Sequence, residues 1–145
     1  MHNLHGILSL MLIKVAVLTT LVYLFFTSAA IGWIYLVLII AASLTILYAY
    51  CAKCAARDHH CSHIVPGKIT RWLPQRNSGP YSTLDLLATG GSLILIFIFP
   101  QYWLWQNKTV QLIFWGVTIV ALAEILLRVC PDCRNQNCML CKKTC

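Results

Sequence analysis

An all-α integral membrane protein is the fold class this sequence predicts: a four-transmembrane-helix up-down bundle with a cytoplasmic cysteine-rich metal-binding cap. Three observations predict it. Of the 145 residues, 59% are hydrophobic and only 10% are charged, where a soluble domain carries about 25% charged residues. Four apolar runs, at about 7–26, 31–50, 84–105 and 109–129, are each long enough to cross a hydrocarbon core of about 30 Å at about 1.5 Å per residue. All eight cysteines fall in two stretches, a loop at 51–80 and a tail at 130–145. The chain is expected to form one membrane domain, with no room for a separate soluble catalytic domain.

The first run, Ile7–Phe26, is interrupted only by Lys14, and the second is Ile31–Tyr50. The link between them, Thr27–Ala30, is short and uncharged, so a tight helical hairpin is expected. Ser28-Ala29-Ala30 resembles a small-residue cleavage site. The run is longer than the apolar region of a signal peptide, however, and no Lys or Arg precedes it, so an uncleaved span is expected.

In the polar stretch that follows, Pro66-Gly67, Pro74 and Asn77-Ser78-Gly79-Pro80 mark turns. Lys68–Leu73 fits a short helical turn on the membrane surface, with Ile69, Trp72 and Leu73 toward lipid and Lys68 and Arg71 toward phosphates; an ordinary loop under the cysteines is the competing reading. Ser82-Thr83-Leu84-Asp85 has the pattern of a helix start, a hydroxyl at the N-cap and a carboxylate three residues on. Gly90-Gly91 would allow close helix contact in the third span. Pro100, Tyr102, Trp103 and Trp105 mark its far interface, where amphipathic rings settle.

Lys53, Arg57, Lys68, Arg71 and Arg76 lie in the loop, and Arg128, Arg134, Lys142 and Lys143 lie at the end of span four and in the tail. The opposite side holds only Lys108. By the positive-inside rule both cysteine stretches and both termini are expected in the cytoplasm. The formal charge of +7 therefore follows membrane topology. Neither a basic helix face nor an aromatic-basic platform is visible, so no nucleic-acid partner is expected. Asn107-Lys108-Thr109 has the form of a glycosylation acceptor but sits too close to the membrane to be counted as one.

Cytoplasmic thiols stay reduced, so clustered cysteines there predict metal ligation rather than disulfides. The first stretch reads Cys51-x2-Cys54-x6-Cys61-x-His63, and the second reads Cys130-x2-Cys133-x4-Cys138-x2-Cys141-x3-Cys145. Cys51, Cys54, Cys61 and His63 suit one closed zinc site, and Cys130, Cys133, Cys138 and Cys141 an all-thiolate one, with Cys145 as a spare ligand. Iron–sulfur clusters compete: Cys133-x4-Cys138-x2-Cys141 has a ferredoxin-type spacing, though the loop glycines of a ferredoxin are missing. A composite site joining Cys51 and Cys54 with Cys130 and Cys133 is a further arrangement. His59 and His60, beside Asp58, are expected to be solvated.

Neither Cys-x2-Cys pair is followed by His, and no histidine lies in a span, so no haem is expected. Neither a phosphate loop nor a catalytic triad is visible. The leading expectation is a small electron-transfer subunit of a membrane redox complex, carrying iron–sulfur centres and meeting other subunits or a soluble redox partner. A zinc-stabilised scaffold or assembly factor is the alternative. Lys14, about 10 Å into span one, and Glu124, about 8 Å into span four, are expected to pair across adjacent helices, with Arg128 as a second partner of Glu124; snorkelling of both side chains to the headgroups is the competing reading.

Overall fold

The computed structural model describes residues 2–54, 64–70, 72–74, 76 and 80–131, and their regular structure is entirely helical. The long helices are α1 (His2–Thr27), α2 (Ala29–Ala49), α4 (Thr83–Ile98) and α6 (Lys108–Glu124); two short ones are α3 (Ile64–Thr70) and α5 (Gln101–Leu104). A 3-10 turn, Cys51–Lys53, follows α2, and a π turn, Ile125–Val129, continues α6. Among the described residues four segments are long and apolar enough to cross a membrane: Leu4–Thr27, Ala29–Lys53, Thr83–Leu104 and Lys108–Val129. Their outward side chains, such as Leu18, Val37, Ile94 and Ile119, are exposed aliphatics. A surface that apolar suits lipid rather than water.

Neighbours are set by chain direction. The link between α1 and α2 is a single residue, Ser28, whose N–H donates to the Leu24 carbonyl at 2.8 Å; this is tighter than the four-residue connection expected. Gly32 lies at the crossing, and a Cβ there would stand 2.6 Å from the Phe25 ring. Close approach thus falls at Gly32. Gly90 and Gly91 have nothing within 4 Å of an added Cβ, so they do not make the contact expected of them. From this hairpin α1 packs along α6, and α2 along α4. The spans therefore run in the order four, one, two, three around an up-down bundle, with α1 flanked by both α2 and α6.

The core lies toward the end away from the cysteines. Val17, Leu21, Leu24, Tyr35, Ala42 and Ile96 fill the space between α1, α2 and α4, and Ala16, Leu104 and Phe114 join α1 to α5 and α6. Pro100 interrupts the third span here, because proline has no N–H to donate to the carbonyl four residues back. That carbonyl, Ile96, accepts instead from the buried Tyr35 hydroxyl at 3.0 Å. The next, Phe97, accepts from Gln101 Nε2 at 2.7 Å, and Gln101 Oε1 accepts from Trp115 Nε1 at 3.0 Å. A helix break inside a membrane persists where neighbouring helices supply such donors. Just beyond it Trp103 is half-buried, Tyr102 and Trp105 are exposed, and the Lys108 ammonium stands 3.4 Å over the Trp105 ring. These are the rings that the sequence marks as the far interface.

At the other end Glu124 does not meet Lys14. Its Oε2 stands 3.1 Å from His5 Nδ1, and Lys14 lies on an exposed face of α1. The reason is register. Helix α1 begins at His2 rather than near Ile7, which carries His5 into the bundle opposite Glu124 and inside the first span, Leu4–Thr27; the expectation that no histidine lies in a span is thereby corrected. Lys14 is nine residues further along, about 13 Å deeper at about 1.5 Å per residue.

Candidate metal centre

Of the nine residues expected to ligate metal, Cys51, Cys54 and Cys130 are described; Cys61, His63, Cys133, Cys138, Cys141 and Cys145 lie outside the described residues, as do His59 and His60. Cys51 opens the 3-10 turn at the end of α2. Cys54 closes it, its N–H donating to the Cys51 carbonyl at 3.2 Å before the backbone turns extended. Both thiols are half-buried, and they stand three residues apart at the end of one span.

This turn is tied to the start of α4. Lys53, between the two cysteines, donates through Nζ to Asp85 Oδ2 at 2.9 Å. Arg76 Nη1 donates to Asp85 Oδ1 at 2.8 Å. Asp85 also completes the helix cap: Ser82 Oγ accepts from the Asp85 N–H at 3.2 Å, and Asp85 Oδ2 accepts from the Ser82 N–H at 3.1 Å and from its hydroxyl at 2.9 Å. The capping pair read from Ser82 and Asp85 is present in both directions. Asp85 is only 4% exposed, and a carboxylate buried so far is stable only when its lone pairs are filled and its charge is met.

Aromatic rings enclose the cluster. Tyr50 and Tyr81 stack with centroids 4.6 Å apart, and the Tyr81 hydroxyl donates to the Tyr50 carbonyl at 3.4 Å. The Arg76 guanidinium lies 4.9 Å from the Tyr48 ring centre. Two cations thus face one buried carboxylate beside the turn that carries the cysteines. Helix α3 packs against this turn and against α1. Beyond α3, Trp72 is 92% exposed beside exposed Lys68 and Ile69.

Cys130 follows the π turn, where its N–H donates to the Ile125 carbonyl at 2.8 Å, and is half-buried. It stands at the same end of the bundle as Cys51 and Cys54, but α1 packs against both helices that carry them. Among the described residues no three His, Cys, Asp or Glu side chains gather into one group.

The Lys53–Asp85–Arg76 cluster escapes a reading confined to local motifs. Its signal is that Asp85 is the sole acid between Asp58 and Glu124, beside a loop with five cations. The His5–Glu124 contact escapes because His5 precedes the apolar run from which the first span was drawn. No protein family, no curated protein and no solved structure matches this chain.

Proposed function

We propose that this chain is a membrane-embedded metal-binding protein whose basic end, the cytoplasmic one by its charge distribution, carries a thiolate cap serving electron transfer within a membrane redox complex. The supporting observation is the Cys51–Cys54 pair, two half-buried cysteines three residues apart at a helix end that Lys53 ties to Asp85. Iron–sulfur centres assembled there with the cysteines of the tail would sit at the membrane face. A soluble donor and a partner subunit or quinone would both reach them.

The Lys53–Asp85–Arg76 clamp favours a second reading, a zinc-stabilised scaffold. A metal on a turn already fastened to α4 would staple the loop to two spans, and closed four-ligand thiolate sites are usually structural.

Anaerobic purification, metal analysis and an absorption spectrum test both. The expected result is a brown protein with iron and acid-labile sulfide. A colourless protein holding stoichiometric zinc would replace electron transfer with the scaffold reading, and a protein that binds neither metal would overturn both.

A further inference from the structure

Among the described residues, Lys14 is the one charge carried deep in a span and on the outside of the bundle. It lies ten residues from the Leu4 end of the first span and thirteen from the Thr27 end, about 15 Å and 20 Å at about 1.5 Å per residue. That is mid-depth in a core of about 30 Å. The side chain is exposed, and neither carboxylate among the described residues pairs with it: Glu124 meets His5, and Asp85 meets Lys53 and Arg76. Helical side chains lean toward the N-terminus, here the basic end. A four-carbon stem spans about one helical turn, about 5 Å, so the ammonium still stops roughly 10 Å inside the core. An ionisable group at that depth ordinarily faces a partner or a water-filled cavity.

The surface around Lys14 is shaped for a helix. Leu4, Leu8, Met11, Val15, Leu18 and Val22 are all exposed, and their spacing of four, three, four, three, four residues is the heptad seam of paired helices. Such a stripe alone is what any lipid-facing helix shows. Lys14 immediately flanks it, at the position from which charged residues reach across a helix pair and select the partner.

We infer that this face of α1 docks a transmembrane helix of a second protein that carries a carboxylate at mid-depth. Another copy of this chain does not supply it. The four acids are Asp58, Asp85, Glu124 and Asp132; the first and last fall in the polar stretches, and the other two are engaged near the basic end. The occupant is a different chain with Asp or Glu near the middle of its span. The inference is independent of any metal.

Full-length protein bearing an N-terminal fluorescent-protein donor, in phosphatidylcholine vesicles, is titrated with acceptor-labelled spanning peptides of leucine and alanine. The peptides differ only in a central Glu, Gln or Leu, and association is read by energy transfer. The Glu peptide is expected to associate about tenfold more tightly than the Leu peptide, the scale of a polar contact between spans. Lys14→Met should abolish that preference, Lys14→Arg should keep it, and the Gln peptide should bind less tightly than the Glu peptide. Equal association of the Glu and Leu peptides would overturn the inference. So would a preference that survives Lys14→Met, since the carboxylate would then be seated elsewhere.

Discussion

The hydroxyl of Tyr35 takes the place of the backbone donor that Pro100 lacks, reaching the Ile96 carbonyl at 3.0 Å from the neighbouring span. One side chain thereby lets the third span break near the end away from the cysteines without leaving a bare carbonyl in the bundle. Tyr35 is fully buried and stacks on Phe99 at 5.9 Å, so water has no route to substitute for it.

Tyr35→Phe keeps the ring and removes the donor. It should destabilise the protein by about 1–3 kcal/mol, the cost of a buried polar group left unpaired. Tyr23→Phe, which loses a 3.5 Å contact to the Trp103 carbonyl, should cost less than about 1 kcal/mol. Unfolding in detergent, followed by circular dichroism, ranks the two; equal losses would contradict the role given to Tyr35.

Gly32→Ala places a methyl against the Phe25 ring. The ring must shift as a whole, since its near carbons are the ones obstructed. A loss of about 1–3 kcal/mol is expected, as for other overpacked sites. Gly90→Ala and Gly91→Ala meet open space and should be neutral or slightly stabilising, because alanine favours helix by up to about 1 kcal/mol over glycine. The same unfolding measurement orders the three variants.

Asp85→Asn strips the charge that holds Lys53 and Arg76. Removing one partner of a buried ion pair costs about 3–5 kcal/mol, and the lower end applies because the Arg76 side chain is 32% exposed. Ser82→Ala loses only the cap, about 1 kcal/mol. If the cap binds metal, Asp85→Asn should also lower bound metal per chain while Ser82→Ala leaves it near the wild-type value, read by elemental analysis of the folded fraction.

Within the cap, Cys54→Ser and Cys133→Ser should each lose metal, as second thiolates of a helix-end pair. Cys145→Ser should lose less, since Cys130, Cys133, Cys138 and Cys141 already offer four ligands. Elemental analysis again decides: a loss with Cys145→Ser as large as with Cys133→Ser would require reassigning the tail.

Double-mutant cycles separate the two possible partners of Glu124. His5→Ala and Glu124→Gln should be non-additive by about 0.5 kcal/mol or more, as contacting residues are. Lys14→Met and Glu124→Gln should add within about 0.5 kcal/mol, as distant sites do. Coupling between Lys14 and Glu124 would contradict the register of α1 against α6.

What was legible in the sequence divides by range. The four spans, the cap of Ser82 on Asp85 and the aromatic rings at Tyr102 and Trp105 depend on neighbours a few residues apart, and the chain displays them directly. The adjacency of the first and last spans also follows from an up-down bundle. The choice of His5 over Lys14 for Glu124 does not, because it depends on where α1 starts, and a shift of a few residues moves the matching depth by more than a turn. Lys53 and Arg76 lie 32 and 9 residues before Asp85, and the antiparallel pairing of α2 with α4 is what brings Lys53 to it. Gly32, rather than the more conspicuous Gly90-Gly91, is the close approach because the one-residue hairpin link forces Phe25 against it. For the metal site the structure describes the Cys51–Cys54 turn and Cys130, and the proposed ligand sets draw the rest from outside the described residues.

The pairing of α1 with α6 also has a consequence for biosynthesis. Of these four spans, the one made first finds one of its two principal neighbours in the one made last, while α2 and α4 meet earlier. Chains grow at about 5–20 residues per second, so the nascent first span must wait several seconds in the insertion machinery or the lipid with its α6-facing side uncovered. A ribosome halted after Pro100 would leave Ala16 without Leu104 and Phe114, and His5 without Glu124. Such truncated chains are the ones that membrane quality control would meet with an unfilled groove along the first span.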